Sequence, residues 1–189
     1  MRQITFVTGN QGKWLIARDI FKKYGVELYQ EKIDTPEIQS LDVCEVSVYS
    51  AKHAGDKLRK AVIKSDVGYY FEMLGGFPGP FVKYINQTLK PADILKMMEG
   101  KENRKVVLKE CLTYYELGRE PVTFISEELG YISDIPMGEG STMDQILILE
   151  GYDKPKGMYS NEEMHRHFMS NLEIYHDVAK YIAVTVDVQ

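Results

Sequence analysis

Three features of the sequence predict a mixed α/β fold. The chain opens with a β-forming run, a glycine-bearing turn, a helical pattern and a second strand, the usual beginning of a sheet covered by helices. Two long β-forming runs, Val106–Leu117 and Pro121–Ser133, are separated only by Gly118-Arg119-Glu120, which reads as a hairpin. Helical periodicity returns between these regions and dominates the end of the chain, from about Asn161 through Tyr181.

Each element has its own reason. Ile4–Val7 is a short apolar run that stops at Thr8-Gly9-Asn10. Trp14, Leu15, Ala17, Ile20 and Phe21 then recur near the 3.6 period as far as Tyr24-Gly25. Val26–Ile33 alternates as a second strand, and Asp34-Thr35-Pro36-Glu37 is a loop. Glu45–Val62 is predicted as one amphipathic helix, with Val46, Tyr49, Ala54, Leu58 and Val62 on one side, and Cys44 in the polar loop before it. Gly68–Leu74 reads as a strand ending in the punctuation Gly75-Gly76-Phe77-Pro78-Gly79-Pro80. Short helices follow over Phe81–Leu89 and from Pro91, where proline suits a first helical position, to Gly100. Beyond the hairpin, Met137–Thr142 is a glycine-containing loop before the apolar run Ile146–Leu149.

Composition limits the functions available. With 44 % hydrophobic residues in a 189-residue chain, a sizeable core is affordable and intrinsic disorder is excluded. A net charge of −5 argues against a broad polyanion-binding surface, so no nucleic-acid partner is expected, although a local basic pocket remains compatible with a small phosphorylated ligand. Two cysteines are too few for a disulfide scaffold or an all-thiolate zinc site, and Cys111 falls in an apolar strand as a core residue. No apolar run approaches the roughly 20 residues needed to span a bilayer, and MRQITFVTGN lacks a signal-peptide core. The expectation is a soluble cytoplasmic protein forming a single domain over residues 1–189, with no membrane partner.

Three clusters carry candidate chemistry. In the first turn, Thr8-Gly9-Asn10-Gln11-Gly12-Lys13 lies between a strand and a helix N-terminus, where free N–H groups and the helix dipole favour an anion. Gly9 and Gly12 permit close backbone approach, Thr8 and Asn10 offer side-chain donors, and Lys13 adds a charge; equally, Asn10 reads as a plain N-cap with Lys13 solvated. The spacing is too short for a Walker A motif, and Trp14 stands where Ser/Thr would be required. Glu37 in a loop and Asp66 near a strand start would suit Mg²⁺ if they converge at one end of the sheet, or are surface charges if they do not. His165 and Arg166 near a helix start offer donors for a base or phosphate, or equally form a solvated basic helix end, while His165 and His167, two apart, do not face one ligand.

In order and spacing these pieces resemble the inosine triphosphate pyrophosphatase family. Val7–Lys13 (VTGNQGK) resembles its T-G-N-x-x-K phosphate loop, and Lys32–Gln39 (KIDTPEIQ) its I-D-L-P-E-x-Q segment, whose magnesium-binding glutamate falls on Glu37. Asp66–Ile85 (DVGYYFEMLGGFPGPFVKYI) resembles the signature E-D-[ST]-x-L…L-G-G-x-P-G-P-Y-[IV]-K-W, the most specific match in the chain. It places the catalytic aspartate on Asp66 and a phosphate-side lysine on Lys83. Asp144 falls on the aspartate of the base-binding G-W-D-P segment, beside Met143, and His165-Arg166 fall on the end of the S-H-R motif.

The resemblance implies an elongated α/β fold with a mixed central sheet, flanking helices and two lobes around a nucleotide cleft, working as a homodimer. It implies Mg²⁺-dependent hydrolysis of non-canonical purine nucleoside triphosphates such as ITP, dITP or XTP to monophosphate and pyrophosphate. Asp66 would activate water and, with Glu37, hold the metal; Lys13 and Lys83 would neutralise phosphoryl charge, with Thr8, Gly9 and Asn10 lining the phosphates. Met143, Asp144, His165 and Arg166 would meet the base.

The chain also departs from the pattern. The acidic residue before the catalytic aspartate is Ser65, and the small polar residue after it is Val67. Ser50 replaces a helix lysine, and Lys52 lies two positions on, about 200° around the helix. Met143 and Gln145 replace the tryptophan and proline of G-W-D-P; Ser160 and Met164 replace a lysine and the serine of the S-H-R segment. Each charge-assisted hydrogen bond lost is worth roughly 1.5–3 kcal/mol. The phosphate-side residues are therefore better kept than the base-side ones. The departures leave room for a less phosphorylated or different nucleotide, or for a non-catalytic nucleotide-binding module.

Overall fold

The computed structural model describes residues 2–36 and 38–185. The elements are β1 (Arg2–Val7), α1 (Gln11–Lys23), β2 (Val26–Glu31), α2 (Val43–Leu58), β3 (Val62–Phe71), β4 (Pro78–Gly79), α3 (Val82–Thr88), α4 (Pro91–Met97), β5 (Lys105–Tyr115), β6 (Val122–Ile132), β7 (Leu147–Leu149), α5 (Asn161–Ser170) and α6 (Glu173–Val184). The strands form one mixed sheet in the order β2-β1-β3-β5-β6-β7, with β4 pairing β3. β1 runs parallel to both β2 and β3, whereas β7 is antiparallel to β6.

The chain divides into two compact units: Met1–Asp66, Glu110–Ser126 and Leu172–Gln189 form the first, and Val67–Lys109 with Glu127–Asn171 the second. In the first unit, β1 presents its two faces to different helices. Phe6 meets Tyr175 of α6 edge-on at 6.4 Å between ring centroids, while Val7 packs with Ala51 and Ala54 of α2. Val62 and Tyr115 join Val7 on the α2 side. Gly55 is required there, because a Cβ at that position would lie 2.4 Å from the Tyr115 ring. The core of the second unit gathers Phe71, Ile85, Ile94, Met98, Val106, Ile132, Met143, Ile146, Leu147 and Leu149.

Several boundaries differ from the sequence reading. The helix expected over Glu45–Val62 ends at Leu58, where Arg59 turns left-handed (φ 57°), and Val62 instead begins β3. Asp66 is consequently central in β3 rather than near a strand start. Cys44 lies in the first turn of α2, just after its N-cap Asp42, and not in the preceding loop. The C-terminal helical stretch is two helices, because the chain leaves helical geometry at Asn171 and Leu172. Cys111 is fully buried, and burial together with the neighbouring Cys44 thiol pushes it up to about 12. It is a core residue, as its apolar strand predicts.

Candidate active site

The first turn forms because Asn10 caps α1: its Oδ1 accepts from the Lys13 N–H at 3.0 Å, and Thr8 Oγ1 accepts from the Asn10 N–H at 3.1 Å. The capping reading of Asn10 is therefore realised, with Gly9 and Gly12 exposed beside it. The β1–β3 register pairs Thr5 with Val62 and Phe6 with Ile63, which brings Ser65 and Asp66 level with the turn beyond Val7. The candidate phosphate turn thus lies beyond the carboxyl end of β1, level with Asp66 midway along β3.

Strand alternation then separates neighbours. Val62 packs toward α2, so Lys64 and Asp66 share that face, while Ile63 and Ser65 take the other. α2 carries Ser50, buried and with no hydrogen-bond partner for its Oγ among the described residues, where the family pattern has a lysine. Lys13 is not solvated. Its ammonium is 3.0 Å from Glu110 Oε1 and 3.4 Å from Ser65 Oγ, on the face of β3 opposite the one Asp66 takes. Tyr175 Oη also donates to Glu110 Oε1 at 3.0 Å, and Ser65 Oγ donates to the same oxygen. Burial alone would raise the Glu110 carboxyl, but the Lys13 charge and these donors outweigh it and hold it below the ordinary value. Burial and the Glu110 charge push Tyr175 well above its ordinary value.

Glu110 escaped the sequence reading. The available signal was a lone carboxylate in the middle of the apolar run VVLKECLTYY, an unfavourable burial unless a cation meets it. Glu37 lies outside the described residues. Among the described residues no three His, Cys, Asp or Glu side chains gather as a metal cluster. A Mg²⁺ ion does not require one, since it takes one or two carboxylates and completes its shell with water and phosphate oxygens. The oxygen-donor chemistry of Asp66 fits that demand.

The second unit holds the base-side candidates. Asp144 accepts from the Ser141 N–H at 3.0 Å and Ser141 Oγ at 2.7 Å, and pairs with Lys156 at 3.0 Å. Burial would raise the Asp144 carboxyl, yet Lys156 and Ser141 hold it below its ordinary value. Lys156 is a second residue that sequence reasoning missed. Its position depends on Gly157, whose N–H bonds Asp144 O at 2.7 Å and where a Cβ would come within 2.2 Å of Glu139 O.

Met143, expected beside the base, lies in the core. It is 1 % exposed, packed in the second unit's apolar cluster, with its N–H on Asn86 Oδ1 at 3.0 Å. His165 and Arg166 stand on the exposed side of α5, while His167 turns inward to Glu128 at 2.6 Å and to the edge of Tyr152. Ser160, at the position of a family lysine, is the N-cap of α5 in a reciprocal capping box with Glu163. Lys83 lies on the exposed side of α3.

An anion-ready helix N-terminus beside an aspartate, at the carboxyl end of parallel strands, suits an α/β protein that handles phosphate groups. A sequence model of the Ham1 family matches residues 4–169, and the chain belongs to that family. It is 41 % identical to a dITP/XTP pyrophosphatase of Methanopyrus kandleri over 80 % of this chain and 81 % of that protein. It is 36 % identical to one from Thermococcus kodakarensis, over 87 % and 89 % of the two chains. The fold matches the Staphylococcus aureus Ham1 protein with a TM-score of 0.77 at 20 % identity, covering 94 % of this chain and 97 % of that one. That likeness shows the fold.

Proposed function

We propose that this protein hydrolyses non-canonical purine nucleoside triphosphates to monophosphate and pyrophosphate. The observation that carries the proposal is the Asn10-capped turn after β1, level with Asp66 in β3, in a chain whose relatives are named dITP/XTP pyrophosphatases. In this reading the first unit takes the phosphate chain. The exposed turn with Gly9 and Gly12 offers backbone and Thr8 donors to phosphate oxygens, and Lys13 adds positive charge from the other face of β3. Asp66 orients and deprotonates the attacking water. Asp66 and Glu37 would hold Mg²⁺, which when bound supplies charge neutralisation on the phosphoryl oxygens. By the family pattern Lys83 would add charge on the phosphate side, and Asp144, His165 and Arg166 would meet the base, with Asp144 held by Lys156. A homodimer comes with the family pattern, and a cytoplasmic location is the expectation of the sequence.

Asp66→Asn tests the assignment. Loss of a general base costs about 10²–10⁴-fold in rate, so pyrophosphate release from ITP, dITP or XTP should fall by that factor in a folded protein. Unchanged release would remove Asp66 from the mechanism.

One observation supports a second reading, a nucleotide with fewer phosphates. The Lys13 charge is balanced by Glu110, while Ser50 and Ser160 stand neutral where the family pattern has lysines. Turnover of the mono-, di- and triphosphate of one base separates the readings, since the first requires the triphosphate to be preferred.

A further inference from the structure

Ser65 stands where the family pattern places an acid, yet its hydroxyl is not left facing open solvent. Glu110 reaches it from β5, and Oε1 of that carboxylate collects three donors: Ser65 Oγ, Lys13 Nζ at 3.0 Å and Tyr175 Oη at 3.0 Å. The Glu110 side chain is 14 % exposed and that of Lys13 24 %, so the pair is shielded from bulk water on a face covered by α6. Tyr175 is itself fixed, being 1 % exposed and set edge-on against Phe6. A rigid tyrosine therefore orients the carboxylate, and the carboxylate orients the end of a lysine stem with four rotatable carbons.

We propose that Glu110 is the positioning carboxylate of the phosphate site, supplying from β5 the negative charge that the family pattern carries at residue 65 and holding Lys13 in place. The proposal deepens the pyrophosphatase reading and rests on it for the consequence in catalysis. An unheld Lys13 would still attract an anion, because its charge is unchanged. It would no longer meet the phosphoryl oxygen at a fixed distance in the transition state, where misplacement by about 1 Å can cost about 10²-fold. The contact accounts for the substitution: Glu110 on the adjacent strand brings a carboxylate to Ser65 Oγ and Lys13 Nζ, so the acid is present without residue 65 carrying it.

Relocation of the charge tests this. Wild type, Glu110→Gln, Ser65→Asp and the double variant Glu110→Gln/Ser65→Asp are compared for folding by thermal unfolding, for kcat and KM with ITP and Mg²⁺, and for the Lys13 ammonium signal in ¹⁵N-labelled protein, assigned by its absence in Lys13→Arg. E110Q should lower kcat roughly 10²-fold with KM within about threefold, and broaden the ammonium signal as proton exchange quickens. The double variant should recover both. A folded E110Q with wild-type kcat and an intact Lys13 signal overturns the proposal, as does a folded double variant that recovers neither. If the wild type releases no pyrophosphate, the functional reading fails. The ammonium signal then still decides whether Glu110 holds Lys13.

Discussion

Met143 distinguishes a core from a base pocket, and Met143→Ala puts a magnitude on the difference. The side chain is 1 % exposed and lies among Phe71, Ile85, Ile146 and Leu147. Its backbone has little freedom to follow a smaller side chain inward. The N–H is bound to Asn86 Oδ1 at 3.0 Å, and its carbonyl accepts from the Leu147 N–H at 2.9 Å and the Ile146 N–H at 3.2 Å. Truncations of buried methionine cost about 2–5 kcal/mol, rising with the cavity that remains. A site this constrained belongs in the middle of that range, about 3–4 kcal/mol. For a chain of this size each kcal/mol lowers the melting temperature by about 2–4 °C, so calorimetry should show a fall of roughly 6–16 °C. Met143→Leu, close in volume, should cost less than about 1.5 kcal/mol. KM for ITP, measured well below the transition, should be nearly unchanged in both. A Met143→Ala protein with wild-type melting temperature and a raised KM would refute the packing argument and return the side chain to the base.

Two further predictions concern the second unit. Asp144 has a depressed folded-state value, so its stabilising contribution is complete above the unfolded carboxyl value of about 4 and disappears as pH falls through the folded value. Asp144→Asn should therefore reduce stability at neutral pH, by about 1 kcal/mol after allowance for partial exposure, and flatten the acid limb of a melting-temperature-against-pH profile; an unchanged acid limb would show that the Lys156 pair contributes nothing. Ser160→Ala removes the α5 N-cap and should cost about 1 kcal/mol, seen as faster amide exchange in the first turn of α5, with kcat unchanged because Ser160 is occupied with the cap. A fall in kcat with no change in exchange would assign Ser160 to substrate.

Much of the first unit was legible because its signals are local. A β run, Asn10 three residues before Lys13, and a 3.6 periodicity define strand, cap and helix within about twenty residues. The hairpin was equally local, with its β-forming runs meeting at one glycine turn. The end of α2 was harder, because an amphipathic pattern continues through Leu58 to Val62 and nothing in the periodicity marks Arg59 as the left-handed exit.

Local signals along the chain suffice for a capped turn between β1 and α1, a strand carrying Asp66, and the family to which the chain belongs. The tertiary structure alone decided which charges meet. Glu110 lies 97 residues from Lys13 and 45 from Ser65, and nothing in the period of β5 tells which helix end its carboxylate will face. Lys156 reaches Asp144 only because the backbone at Gly157 passes close to Glu139. Met143 sits at a base-binding motif position and is nevertheless spent on the core. The physical reason is common to all three. Periodicity sets the face a side chain takes on its own element, but its partners are set by which strands and helices pack together.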